Sequence, residues 1–343
     1  MSAKFLCRLL LLGLLPLLLA AKSDGKVMDP NQILGVENCA ECHEKENEVW
    51  AKTKHATGLK EISRHKKSKA LKKLLGTKRV TREENCVRCH FTNAYISKKR
   101  TLPGAKPAKA RLKTIEAVSC ESCHGEAKEW GPVHGDYGGK KITKKMETDE
   151  HRQQRLEKMK AFDIVGRNHL YAMTKRCLSC HITDDEKIVN SKQHPFVSKD
   201  FDMVAWSQGD MRHNLWFSDG KENVLASLEK QRIYYILSKT VSLEIYLSAL
   251  ANSAEKGLYT DLLMQHIAKV KQALSNIVNK GGPIEIKAID QITIEGVNAS
   301  YLLRSADAVA KLSKHIEMKY DGKNLAAIDD LLPKAKNYKR IEK

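Results

Sequence analysis

The sequence predicts a mainly α-helical protein in two unlike parts, and three observations predict it. Residues from about 30 to 205 are lysine-rich and poor in long apolar runs, yet a five-residue signature, C-x-x-C-H, occurs there four times. After Met203 apolar side chains instead recur at helical spacing. Aromatic residues make up only 6% of the 343, which leaves the first part short of the bulk that fills an ordinary core.

The four copies are Cys39-Ala40-Glu41-Cys42-His43, Cys86-Val87-Arg88-Cys89-His90, Cys120-Glu121-Ser122-Cys123-His124 and Cys177-Leu178-Ser179-Cys180-His181. This spacing attaches a c-type haem. Two thiols three residues apart share one face of a helical turn, where they can add to the two vinyl groups of a porphyrin, and the following histidine reaches the iron. Four copies imply four covalently bound haem c groups with His43, His90, His124 and His181 as proximal ligands. Porphyrins would then supply the missing apolar volume. The first part is expected to be a multihaem cytochrome domain of short helices and loops around four c-type haems, unable to fold stably without them. Structural zinc is disfavoured, because a histidine follows every pair and no two pairs share the short spacing of a zinc ribbon. A disulfide framework is disfavoured too, since C-x-x-C pairs in so long a chain do not close loops.

Residues Met1 to Ala21 read as a secretory signal peptide: Lys4 and Arg8 precede an apolar run, Leu9 to Leu19, too short to span a bilayer, and Ala20-Ala21 offers a cleavage site. The ninth cysteine, Cys7, lies inside it. Export to the periplasm agrees with haem attachment outside the cytoplasm. The expected organisation is a signal peptide over 1–21, a tetrahaem domain over 22–204 and a helical domain over 205–343.

In that last part Leu225, Leu228, Ile236, Leu243, Leu247 and Leu250 mark a helix between Glu222 and Asn252. Leu262, Leu263, Ile267, Val270, Leu274 and Ile277 mark a second, from Glu255 to Asn279, with a short break that predicts a helical hairpin. Lys280-Gly281-Gly282-Pro283 ends it. Pro283 to Val297 alternates weakly, as an extended segment or a loop. Asn298 to Lys319 is amphipathic again, and the charged tail after Lys334 is expected to be loose. A stabilising cap without its own cofactor is the favoured role; dimerisation and docking on a membrane complex are the alternatives.

Nine histidines remain for the second axial positions: His55, His65, His134, His151, His169, His194, His213, His266 and His315. Glu44 to Thr57, without Gly or Pro, reads as helix. His55 then lies about 18 Å beyond His43, whereas ligands of one iron sit about 4 Å apart. His55 therefore serves a haem other than its own, if it serves one. His134 follows His124 through Gly125, Gly131 and Pro132, a loop able to turn back. His169 precedes the fourth motif and His194 follows it. His65 reads as solvated, His151 as similar although near the cofactors, and His266 and His315 as ordinary helical residues; His213 is left unassigned.

At these residues the chain resembles the tetrahaem cytochrome c-554 family, electron carriers of ammonia-oxidising bacteria that accept electrons from hydroxylamine oxidoreductase. The resemblance runs through Cys39 to His43 with Trp50 and His55, Asn85 to His90, Val118 to Gly125 with His134, and His169 ahead of Arg176 to His181. It covers roughly residues 35–205. It implies three bis-histidine haems and one five-coordinate haem at the second motif. By position it assigns His55 to the fourth-motif haem, His134 to the first and His169 to the third. The gap from His169 to Cys177 exceeds the family spacing. His194 is the substitute for His169, and closing the second haem is open to it as well.

The formal charge of +19 falls to about +9 after loss of Lys4 and Arg8 and ionisation of eight propionates. Basic residues cluster in Lys52 to Arg82, Lys98 to Lys113 and Lys140 to Lys160. Part of this charge neutralises propionates, and the excess points to acidic redox partners rather than nucleic acid. An electron carrier is the favoured function. The alternative is a haem oxidoreductase that reduces nitric oxide, nitrite or hydroxylamine at an open iron on His90, since only an open position permits such chemistry.

Overall fold

The computed structural model describes residues 28–80, 83–92, 117–162, 164–198, 201–254 and 256–339. The expected signal peptide and the Lys98 to Lys113 cluster lie outside the described residues. The fold is mainly helical, and the described residues contain no strand beyond one isolated bridge between Ile182 and Val197.

The motif region consists of short helices: α1 (Val36–Ala40), α2 (Glu44–Trp50), α3 (Lys54–Arg64), α4 (Ser68–Leu75), α5 (Glu84–His90), α6 (Cys120–His124), α7 (Trp130–His134), α8 (Asp149–Met159), α9 (Leu170–His181) and α10 (Glu186–Asn190). After α11 (Met203–Ser207) come three long helices, α12 (Leu228–Asn252), α13 (Leu258–Asn279) and α14 (Ala299–Lys319).

The helix expected over Glu44 to Thr57 is broken. Thr53 donates its hydroxyl to the Trp50 carbonyl at 2.8 Å and accepts from the Ala56 amide at 3.4 Å. One side chain thus closes α2 and caps α3, the local competition with the backbone that threonine offers. His55 stands in the first turn of the new helix rather than along the old one.

Three further expectations are corrected. The helix placed from Glu222 begins at Leu228, because the Ser227 side chain accepts from the Lys230 amide as its N-cap. Ile284–Gln291 is a 3-10 helix instead of an extended segment or loop, and buries Ile286 and Ile289. The tail after Lys334 is docked as far as Lys339. Lys339 donates its amide to Ala205 and accepts from the Asp210 amide, each at 3.0 Å, and the Tyr338 hydroxyl bonds Gln231 at 2.9 Å. A Cβ at Gly209 would collide with the Lys339 carbonyl, so this close approach of two backbones needs glycine.

The apolar core is centred on α12. Ile236, Leu237, Leu243 and Leu247 of α12 are fully buried, with Leu263, Ile267 and Ile277 of α13 and Ile316 of α14. The same core takes in Leu170, Tyr171 and Leu178 of α9, together with Val189 and Phe196. Helix α9 ends in the fourth motif, so burial against α12 sets the position of Cys177, Cys180 and His181. A Tyr171 hydroxyl bond to Glu244 at 3.0 Å and a Lys175–Glu244 ion pair at 3.0 Å fix the same crossing.

The rest of the motif region has little apolar packing. Its own cluster is Val87 and Phe91 with Ile62 against them. Polar clamps do the joining there. The buried Glu121 carboxylate accepts from the backbone amides of Leu34 (3.0 Å), Gly35 (2.9 Å) and Ala127 (2.8 Å), tying the start of α1 to α6. Gly125, at φ +97°, turns the chain so that Ala127 can reach back to it.

Candidate haem centres

Each motif cysteine pair lies on one helical turn that ends in its histidine: α1 and the turn after it, α5, α6 and the end of α9. Residues three apart on a helix are neighbours on one face, so each pair presents its two thiols together.

The four motif peptides adjoin in one series. Besides the Glu121 clamp, the first and third meet where Cys39 hydrogen-bonds the Cys120 thiol and lowers its pKa. The third and fourth meet where Arg176 donates to the Cys123 carbonyl at 2.9 Å. The fourth and second meet where the thiols of Cys180 and Cys89 hydrogen-bond, and the Cys180 sulfur lies 3.9 Å from the Arg88 carbonyl. Arg88 also pairs with Asp184, just past the fourth motif, and Asn85 bonds Asp185 at 2.7 Å. The second and third are joined by Thr92, whose hydroxyl bonds the Ala117 carbonyl at 2.9 Å, the Ser119 amide at 2.7 Å and the Ser122 hydroxyl at 2.6 Å.

Every motif histidine has one other histidine ring across from it. His43 faces His134 with centroids 6.1 Å apart, and His181 faces His55 at 6.0 Å. His90 faces His194 at 6.2 Å, and His124 faces His213 at 6.1 Å. Two imidazoles bound through nitrogen on opposite sides of one metal place those nitrogens about 4 Å apart, hence their ring centres about 6 Å apart. Among the described residues no three or more His, Cys, Asp or Glu side chains converge on a common point; the rings stand in pairs. The thiols and ring pairs fit a covalent haem at each motif.

The ring pairs differ from two expectations drawn from the resemblance. His169 is not brought to His124. It stands exposed at the residue before α9, with its Nδ1 accepting from the Gly166 amide at 3.1 Å. His213 stands opposite His124 instead, carried by the loop between α11 and the 3-10 turn Trp216–Ser218. The ring of His194 stands across from His90, where the resemblance implies an open face. His213 left no local signal in the sequence. Its spacing to Cys123 and His124 is long, and only the return of the chain past α11 brings it there.

Burial keeps the rings in the neutral form that a metal requires. It holds His90 and His124 down to about 4 and His181 down to about 3, and lowers His43, His55, His134 and His194 as well. Aromatic rings flank the pairs: Phe201 lies 4.1 Å from His181, nearly parallel, and Trp216 lies 4.5 Å from His43. His134 is braced from α8, where Arg155 donates to the His134 carbonyl at 3.2 Å and holds Glu147 through two bonds of 2.7 Å. The remaining histidines are ordinary. His65 bonds the Lys67 amide, His151 bonds Glu147, His266 packs on Phe196 and Tyr246, and His315 pairs with Glu285.

A helical chain whose thiol pairs and imidazole pairs are set to grip haem at repeated sites has the build of a multihaem c-type cytochrome. The sequence model of the family described as cytochrome c554 and c-prime matches residues 38–125. Cytochrome c-554 of Nitrosomonas europaea is 25% identical over 156 residues, which is 43% of this chain and 57% of that protein's length. No solved structure matches the chain. Over its motif region the chain is similar to the cytochrome c554 family, and a C-terminal helical region follows that similarity.

Proposed function

We propose that the protein is a periplasmic tetrahaem electron carrier that takes electrons from one redox protein and delivers them to another. The observation that carries the reading is the unbroken series of motif contacts, first to third to fourth to second, which leaves no motif isolated from the rest. Haem supplies one-electron redox chemistry at an iron whose potential follows its ligands and surroundings. The chain supplies the grip: Cys39 and Cys42, Cys86 and Cys89, Cys120 and Cys123, Cys177 and Cys180 as thioether partners, with the motif histidines beside them. The buried, neutral rings and the tight motif contacts keep that environment rigid, as electron transfer without ligand exchange requires.

Surface charge supports docking to an acidic partner. Arg64, Lys66, Lys69, Lys73, Lys78 and Arg79 are exposed on and around α3 and α4, and the whole chain carries +19. Such a field accelerates encounter with an acidic protein and is screened by salt. Small-molecule reduction would need an open iron, and the ring of His194 beside His90 counts against one.

The test is the exported protein, matured by a host that attaches c-type haem. Its mass should exceed the polypeptide's by four haems, and a reductive titration should take up four electrons. Its reduction by an acidic redox protein should slow as ionic strength rises. A lower haem count overturns the tetrahaem assignment, and a salt-independent rate overturns the docking argument.

A further inference from the structure

We infer that His194 and His213 are iron ligands, His194 opposite His90 and His213 opposite His124, so that all four haems are closed between two imidazoles. The inference rests on the tetrahaem reading and adds two ligands to it. Both come from beyond the region that the family model matches.

Distance and angle together carry the argument. The four ring pairs share one separation, 6.0 to 6.2 Å, while their planes are inclined by 23°, 54°, 79° and 89°. Rings packed for their own attraction change separation as they go from offset-stacked to edge-on. Rings bound end-on to one metal keep a fixed separation and turn freely about the shared axis. The pairs containing His194 and His213 obey this second rule as closely as the other two.

Tautomers give an independent reason. The Nδ1 of His194 lies 2.8 Å from the Pro195 carbonyl, and the Nδ1 of His213 lies 2.7 Å from the Met211 carbonyl. A carbonyl only accepts, so in both rings Nδ1 carries the proton and Nε2 keeps a bare lone pair, the arrangement of metal-bound histidine. His124 is set the same way by the Val165 carbonyl at 2.7 Å. His169 is set the opposite way. Its Nδ1 accepts from the Gly166 amide, so in its neutral form the proton sits on Nε2 and no lone pair is left there for iron. His213 and His169 are both exposed; ring partner and tautomer separate them.

The loop bearing His213 is built to hold it. Asn223 accepts from the Asn214 amide at 2.9 Å and donates to the Arg212 carbonyl at 2.6 Å, bracketing His213 on both sides. Arg212 donates to the Gln208 carbonyl at 2.9 Å, and Gln208 accepts from the Ala226 amide at 2.8 Å, just before α12. The segment leading into the C-terminal helices therefore completes the third haem site, with Trp216 of the same loop against His43.

Spin state tests this without any activity. The resting ferric holoprotein is expected to show only low-spin iron by electron paramagnetic resonance, and its reduced form is expected to bind no carbon monoxide. Near-parallel ligand planes at the first haem split the iron orbitals and give a rhombic signal. The crossed planes at the second and third leave those orbitals nearly degenerate and give broad, large-gmax signals. His194→Ala and His213→Ala should each convert one haem to a high-spin form that binds one carbon monoxide when reduced, and added imidazole should restore low spin. His169→Ala should leave the spectrum unchanged. A high-spin haem in the wild type, low-spin iron retained in His194→Ala or His213→Ala, or a high-spin haem in His169→Ala overturns the assignment. Should either variant not accumulate, the wild-type spectrum still decides. A protein with fewer than four haems by mass fails the tetrahaem reading instead, a separate measurement.

Discussion

The two regions of this molecule are stabilised by different means. The C-terminal helices bury a continuous set of Leu, Ile and Val side chains around α12, and such burial holds a fold without help. Apart from α9 and the residues after it, the motif region joins short helices through polar clamps such as Glu121, Thr92 and Arg88, over an apolar cluster of three residues. Helices of five to seven residues, like α1, α5 and α6, are too short to be stable alone in water. The difference teaches that one chain can combine a self-sufficient apolar core with a region held mainly by polar clamps. Helix α9 is the joint, anchored on α12 at one end and carrying the fourth motif at the other.

The largest effect should come from withholding haem. Produced without haem attachment, the chain is expected to lose order from residue 28 to about the start of α9 while α12, α13 and α14 stay folded. Limited proteolysis mapped by mass spectrometry should then leave a protected fragment that contains the three long helices. Protection of the motif region without haem would break the comparison.

Truncating the core should cost next most. Leu243→Ala and Ile316→Ala each empty a fully buried site and should destabilise the C-terminal region by about 2–5 kcal/mol, read by denaturant unfolding followed by circular dichroism. Leu225→Ala, at an exposed position, should stay within about 0.5 kcal/mol.

Glu121→Gln keeps the volume but removes the charge that three backbone amides share. Hydrogen bonds to a charged acceptor contribute more than neutral ones, so a loss of about 1–3 kcal/mol is expected. The change should fall on the first and third motifs, visible as lowered thermal stability with the haem absorption of those sites perturbed.

Acid should act more gradually and in both regions. Hydrogen bonds from Arg155 hold Glu147 down to about 2, and Arg232 lowers Asp329 in the same way. Both folded values lie below the unfolded ones. Their stabilisation is therefore complete above the ordinary carboxylate range and is lost as pH falls, for Glu147 between about 4.5 and about 2. Glu147→Gln should flatten the acid limb of the melting temperature against pH, and Asp329→Asn should do so for the C-terminal helices.

Much of this was legible in the residues. The three long helices follow from apolar spacing, and two of their ends from Asn298 and Lys280, whereas the start at Ser227 was not read from the residues. The break at Thr53 was hidden, because a capping threonine also occurs inside helices and only its two bonds reveal the role. The docked tail was hidden as well, since a charged sequence does not announce the backbone groups of Ala205 and Asp210 that receive it.

The sequence by itself determined which thiols and which histidine stand together in each motif, because each set is confined to one helical turn. Only the tertiary structure decided the opposite imidazoles. Each comes from a distant stretch of chain, and a resemblance that pointed to His169 could not register that packing on α12 would return His213 to the third motif. A ligand pair across a metal is set by two positions in space, and spacing along the chain carries no record of the second.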